Sequence, residues 1–275
     1  MPTLTVHFPF LENLSHPPRL LISRVGGQKI NTGMDYTVAM QRAIALAEKG
    51  LGKTAPNPIV GAVIIDSTGA VIAEGFHDRM NSADHAEVVA IKAAGSKAKG
   101  STIVVTLEPC NHCGSTGPCA QAIIDAGITT VVYAVSDPNI KAAGGAETLR
   151  NAGITVVEGV LRDEAAYSNR AWLMKIRKNR PFFTWKVATT LDAKVAATDG
   201  TSKWITNETS RADVQVLRRQ ADAILVGTNT VIADDPHLIP RGEFAGYTHN
   251  PVRVICGEQT LPTDAQVFDN AADTV

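Results

Sequence analysis

The chain has 275 residues, 44% of them apolar, and a formal net charge of −1 built from 26 basic and 27 acidic side chains. That length exceeds one ordinary domain and carries enough apolar residues for two cores; the mixed charge leaves no basic stripe for nucleic acid or for an anionic membrane surface. No stretch reaches the roughly 18 apolar residues of a membrane span and no charged-then-apolar leader opens the chain, so the composition points to a cytoplasmic protein handling a small molecule, with a homo-oligomer left open.

Residues 1–33 carry Pro9, Pro17, Pro18 and the pair Gly26-Gly27 without sustained periodicity, and read as a disordered extension. From Met34 the text changes: Tyr36, Ala39, Met40, Ala43, Ile44 and Ala47 recur at helical spacing, and Gly50 supplies a stop. Strands are expected at 60–65 and 71–74, joined as a hairpin by Asp66-Ser67-Thr68-Gly69. A helix over 85–94, a strand over 102–107, a helix over 118–126, a strand over 130–135, a helix over 146–151 and a strand over 154–160 follow. This alternation predicts a mostly parallel sheet covered by helices. A helical segment over 164–174 runs into the basic stretch Lys175-Ile176-Arg177-Lys178-Asn179-Arg180, which marks a domain edge before Pro181. The first folded domain is therefore set at 34–178 and the second at 179–275. In the second, strands are expected at 182–188, 223–226 and 252–255, with a helix over 208–220 capped by Asn207.

Three of the four cysteines, Cys110, Cys113 and Cys119, fall within ten residues, with Cys256 apart. Such crowding suggests a metal rather than a disulfide framework. With His85-Ala86-Glu87, Glu108-Pro109-Cys110 and Pro118-Cys119 in chain order, the constellation suits zinc held by three protein ligands with a fourth position for water. Glu87, two residues after His85 in the first turn of its helix, is placed to move a proton between attacking water and leaving amine, as in the zinc deaminase signature. A blander reading competes: Asp84 and Glu87 also fit a capping box. Pro118 at the first helical position would put Cys119 at a helix start that favours thiolate. The residues alone leave two candidates for the last ligand, because Cys110-Asn111-His112-Cys113 also has C-x-x-C spacing.

The segments Asn57-Pro58-Ile59-Val60-Gly61, His85-Ala86-Glu87, Thr106-Leu107-Glu108-Pro109-Cys110, 114–119 and Asp137-Pro138-Asn139 together resemble the bifunctional riboflavin-biosynthesis deaminase-reductase family. The resemblance runs from about Met34 to near Arg241. It implies a cytidine-deaminase-like three-layer α/β/α domain followed by an incomplete dihydrofolate-reductase-like α/β domain. It further implies His85, Cys110 and Cys119 as zinc ligands, Cys113 as incidental, Glu87 as the catalytic carboxylate, and Asn57 and His112 as residues that hold the substrate ring. The substrate so implied is 2,5-diamino-6-(5-phosphoribosylamino)pyrimidin-4-one. The segment 79–84 departs from the family text, which puts the pocket rim in question.

In the second domain, Lys186, Leu191-Asp192, Gly200-Thr201-Ser202, Trp204-Ile205-Thr206, Val226-Gly227, Thr230 and Ala233-Asp234-Asp235-Pro236 carry the same resemblance, with Ala193 where the family has glycine. By position, Lys186, Ser202, Arg218, Leu238 and Arg241 would meet the reductase substrate, the two arginines suiting its phosphate. Ala188, Trp204, Thr230 and Asp234 would face NADPH. No Gly-rich phosphate loop follows Ile255, so the chain is expected to deaminate without measurable NADPH-dependent reduction. Two other classes stay in view: a deaminase of another nucleobase or of nucleic acid, disfavoured by charge, and a zinc-stapled binding module, which would need a fourth protein ligand.

Overall fold

Asp66 makes the expected turn: its Oδ1 accepts the N–H groups of Thr68 (2.8 Å) and Ala70 (3.0 Å) and closes a hairpin. The computed structural model describes residues 34–112, 117–245 and 250–275; the expected extension 1–33 and Cys113 lie outside them. Strand β1 (Gly61–Ile65) pairs antiparallel with β2 (Val71–Phe76), with Val63 opposite Glu74. With β3 (Thr102–Leu107), β4 (Thr130–Val135) and β5 (Thr155–Glu158) they form a five-stranded sheet in the order β2-β1-β3-β4-β5.

The sheet is not mostly parallel. Only β3–β4 and β4–β5 run parallel, while β1 opposes both of its neighbours. A parallel pair needs a crossover of a dozen residues or more; the short turn after Ile65 allows only a hairpin, and β1 then lies between β2 and β3 and opposes each. Helix α1 (Thr37–Glu48) packs on β1 and β3 and meets α5 (Arg162–Ser168), which covers β4. Helix α2 (Ala86–Ala94) covers β2 and β1 and touches α3 (Cys119–Asp125), which in turn touches α4 (Gly145–Asn151). These two groups sandwich the sheet in three layers. Hence the central strands are apolar along most of their length: Val63, Ile64, Ile103, Val104, Val131 and Val132 are fully buried, each contributing about 1.5–3 kcal/mol as an upper figure.

Two glycines set the distances on which the site depends. A Cβ on Gly75 would stand 2.3 Å from the Ala86 carbonyl oxygen, so α2 lies with its backbone against β2. A Cβ on Gly145 would stand 1.8 Å from the Pro109 oxygen, so α4 begins hard against the turn that carries Cys110.

The helix expected over 164–174 is two helices, α5 and α6 (Arg170–Lys178), broken at Asn169. Farther on, α7 (Glu208–Gln220) starts as expected, the Asn207 side chain accepting the Ser210 N–H at 2.9 Å. Strands β6 (Ala223–Gly227) and β7 (Val252–Cys256) form a parallel two-stranded sheet, bridged by α8 (Thr228–Asp234), which pattern reading missed. Thr228, Asn229 and Thr230 are weak helix formers, and packing of the buried Val231 holds this short helix. Its small core joins Val231, Leu238, Ala265 and Val267.

The strand expected at 182–188 is not formed. Its alternation is real, yet a strand exists only against a partner, and among the described residues none pairs with it; Phe183 and Trp185 are 76% and 85% exposed. Ala193, where the resemblance called for glycine, sits at φ 62° in a tight turn, a conformation costing a residue with a Cβ about 1 kcal/mol.

Arg253 is fully buried on β7. Its Nε donates to the His237 carbonyl (3.1 Å), its Nη1 to that of Val267 (2.8 Å) and its Nη2 to Asp269 Oδ1 (2.7 Å). Asp269, which also bonds His237, is held below the usual carboxylate range by the Ala271 N–H first and then by Arg253 and His237.

Candidate active site

His85 occupies the N-cap position of α2 in extended backbone (φ −75°, ψ 163°) without capping through its side chain. Its ring is therefore free to point inward, where Nδ1 lies 3.2 Å from Cys119 Sγ and 3.6 Å from Cys110 Sγ. Cys110 follows β3 across Glu108-Pro109, and Cys119 is the first residue of α3, one position later than the helix start expected at Pro118. The Cys119 N–H donates to Cys110 Sγ at 3.5 Å.

All three donor atoms lie within 4.8 Å of one another. Zn–S and Zn–N bonds of about 2.3 and 2.05 Å at tetrahedral angles require N···S edges of about 3.6 Å; the edge to Cys110 is 3.6 Å and that to Cys119 is somewhat shorter at 3.2 Å, so this donor set fits zinc. Among the described residues the cluster has three members, and His112 is not one of them. Three ligands leave a tetrahedral ion one open position.

Charge within the cluster follows from its hydrogen bonds. The Cys110 thiol is lowered to about 4, first by its bond from Cys119 and then by His85, despite burial. Cys119 is raised in consequence, since its proton is held by Cys110 and its surroundings are dry. His85 is raised by its bond to Cys110.

Glu87 is buried, with 4% of its surface exposed. Burial, and next the nearby Cys110 charge, lift its carboxyl to about 7, in the range that suits a group taking and returning a proton near neutral pH. The capping box does not form: Asp84 bonds Lys92 at 2.6 Å, and α2 has no side-chain cap.

Three contributors escaped sequence reasoning. Glu108 accepts the Asp137 N–H (3.1 Å) and the Ala146 N–H (3.0 Å), tying the Cys110 turn to the loop before α4. His77, just past β2, sets Nδ1 3.0 Å from the Asp84 carbonyl oxygen and meets the His85 ring edge-on at 5.2 Å. Burial lowers its pKa, and its buried Nε2 has no protein partner; with Nδ1–H donating to Asp84, Nε2 is left as an acceptor. Asn169 is the third, bonded to Ile59. Their roles carry no spacing signal, because each depends on partners that only the fold supplies.

Asn57, His77, Arg79, Ala83 and His85 line a cavity of about 230 Å³, so the departing segment 79–84 does form part of its rim. The larger groove, about 560 Å³ between Asn250 and residues 268–274, contains none of the zinc-type donors. His112 is partly buried, its Nδ1 without a protein partner.

The second half is less gathered. Arg218 donates to the Ile239 carbonyl (3.1 Å) and the Arg241 N–H to Gln215 (3.0 Å), which brings α7 against residues 238–241. Burial, then the charge of Arg241, lowers the pKa of Arg218, and among the described residues neither arginine has an ion-pair partner. Leu238 is buried there, with φ 52°. By contrast Lys186 and Ser202 lie exposed and bond no residue of that strap. Ala188 is half-buried; Thr230 and Asp234 are exposed one turn apart on α8; Trp204 is 70% exposed beneath the Arg211 guanidinium.

Comparison with known proteins matches residues 34–135 to the zinc-binding region of cytidine and deoxycytidylate deaminases and residues 181–275 to the RibD C-terminal domain. The riboflavin biosynthesis protein RibD of Mycobacterium tuberculosis is 47% identical over 241 residues, 86% of this chain and 70% of that protein. This chain belongs to the RibD family. The Aquifex aeolicus RibD is 48% identical over 232 residues, covering 84% of this chain and 64% of the relative. A crystal structure from Thermotoga maritima, of a diaminohydroxyphosphoribosylaminopyrimidine deaminase/5-amino-6-(5-phosphoribosylamino)uracil reductase, superposes with a TM-score of 0.79 at 43% identity. That match covers 87% of this chain and 68% of the other. The family joins a zinc deaminase domain to a reductase domain and accounts for both kinds of fold in this chain; among the described residues no helix is long and apolar enough to cross a membrane.

Proposed function

We propose that residues 34–178 deaminate 2,5-diamino-6-(5-phosphoribosylamino)pyrimidin-4-one with water, in the cytoplasm, and that residues 179–275 belong to an NADPH-dependent reductase of its ribosyl group. The observation that carries this reading is the convergence of His85 Nδ1, Cys110 Sγ and Cys119 Sγ within 4.8 Å, with the buried Glu87 beside them. His85, Cys110 and Cys119 would hold zinc, which when bound supplies a Lewis acid lowering the pKa of a water toward about 7. Glu87 takes a proton from the attacking water and delivers it to the amino group. The C–N bond breaks, ammonia leaves, and the ring carbon keeps the oxygen. Its raised pKa lets one carboxyl serve in both directions. Asn57 and His112 orient the ring, an amide both donating and accepting.

In the second half, Arg218 and Arg241 receive the substrate phosphate; Arg218, whose charge is disfavoured by burial and then by the nearby Arg241, and which has no acid paired to it among the described residues, suits an anion. Leu238, Ser202 and Lys186 complete that side, and Ala188, Trp204, Thr230 and Asp234 face NADPH.

Metal content and ammonia release on one preparation test the deaminase. We expect one zinc per chain, ammonia from the phosphorylated pyrimidine and none from a single-stranded cytosine oligonucleotide. Cys119→Ser should lose both metal and activity, while Cys113→Ser keeps both. Zinc lost from the Cys113 variant and retained by the Cys119 variant would overturn the ligand set; zinc without deamination would favour the structural staple.

A further inference from the structure

Asn169 stands at the break between α5 and α6, in the N-cap position of α6. An asparagine there ordinarily accepts an N–H of the helix it starts. This one does not: α6 has no side-chain cap. The side chain is buried, 6% exposed, and both ends of its amide go to one residue 110 positions earlier. Oδ1 accepts the Ile59 N–H at 3.1 Å, and Nδ2 donates to the Ile59 carbonyl at 2.7 Å.

Ile59 needs such a partner. It precedes β1, beyond the end of the ladder that starts at Gly61, and it is buried, so water cannot satisfy its backbone. The Asn169 amide presents one donor and one acceptor, as a neighbouring strand would. In the next inward peptide the Gly61 N–H donates to the Thr106 hydroxyl at 3.2 Å, while the Val60 carbonyl accepts the His77 N–H at 3.0 Å. Two residues before Ile59, across the stiff Pro58, Asn57 lines the cavity beside His85. The stretch from Ile59 to Gly61 is thus held partly by the side chains of Asn169 and Thr106 and partly by the backbone bond from His77 to Val60.

We propose that Asn169 is a positioning residue of the deaminase, fixing through Ile59 the place from which Asn57 meets the substrate ring. This rests on the assignment of Asn57 to ring binding. It makes a residue at the junction leading to the second half a determinant of affinity in the first.

The test uses the zinc-loaded full chain with Asn169→Asp, which keeps the acceptor and loses the donor, and Asn169→Ser, which is too short to reach Ile59 yet caps a helix well. In both, KM for the phosphorylated diaminopyrimidine should rise about tenfold or more while kcat changes far less, since the lost interaction orients substrate and leaves the proton shuttle intact. Zinc should stay at one per chain. A folded serine variant with unchanged KM would overturn the proposal, even if its melting temperature fell. Asn57→Ala separates the two readings: unchanged KM in that variant would refute the role of Asn57 itself. If Asn57→Ala raises KM, adding Asn169→Ser should have little further effect, and full additivity would refute the route through Asn57. Amide exchange in the unmodified protein decides the matter should the variants fail to fold. The Ile59 N–H should exchange as slowly as those of β1, and exchange at the rate of surface turns would overturn the proposal.

Discussion

In the five-stranded sheet, β1, β3 and β4 are buried along nearly their whole length, whereas in the two-stranded sheet β6 alternates exposed and half-buried residues, with Leu225 56% exposed. The same contrast runs through the chemistry. Three zinc-type donors and a carboxylate in the first half are fixed by strand ends and helix starts abutting buried backbone. In the second, Arg218, Leu238 and Arg241 are gathered, while Lys186, Ser202 and Trp204 lie on exposed chain. Burial on both faces of a sheet places side chains to within ångströms; a sheet with open faces and edges places only those residues that a local device holds.

The contrast is broken most sharply at Glu87. Glu87→Gln should keep zinc and lose about 10²–10⁴-fold in deamination rate, the range of a general acid-base group, as read by ammonia release on metal-quantified protein. A retained rate on metal-loaded protein would refute the proton-shuttle role of Glu87.

Next comes Arg253, the device that holds the second half. Arg253→Met would strip donors from the carbonyl groups of His237, Val267, Asp269 and Ala272 and from the Asp269 carboxylate, and should destabilise that half by roughly 2–4 kcal/mol, less than for a fully buried pair because Asp269 is 38% exposed. Denaturant unfolding and limited proteolysis should show residues 181–275 opening first, with zinc and deamination retained. Loss of deamination in parallel would mean that the halves are not energetically separate. Amide exchange should rank them the same way in the unmodified protein: β1, β3 and β4 slowest, 181–207 fastest.

The smallest effect is expected at Asn207. Removing its cap with Asn207→Ala should cost about 1 kcal/mol, visible as a modest shift of the second-half transition and silent in deamination.

What could be read from the sequence follows the same physical line. The grouping of His85 with a cysteine after β3 was legible because chemistry fixes their types and their attachment to strand ends and helix starts, whereas the residues alone left Cys113 beside Cys119 and the family resemblance made that choice; the helix from Asn207 was legible because a cap is local. The direction of β1 was not, since alternation of strands and helices does not show which neighbour a hairpin places between two others. At 182–188 the residue pattern of a strand is present, but pairing is not a property of the segment alone. The roles of His77, Glu108 and Asn169 were hidden for a related reason: a lone histidine, carboxylate or amide acquires its meaning from the partners that the fold brings to it. The break at Asn169 was hidden by helical periodicity continuing on both sides of it.

The contact between Gly145 and Pro109 bears on which sequences this fold can explore. Position 145 lies far in the chain from the candidate metal ligands and carries no chemistry, yet any side chain there would need space now filled by the peptide next to Cys110. Drift elsewhere on α4 can be absorbed at its exposed face, but drift at this one position would be transmitted to a ligand. The freedom of α4 to vary is therefore bounded at its first residue by the zinc site.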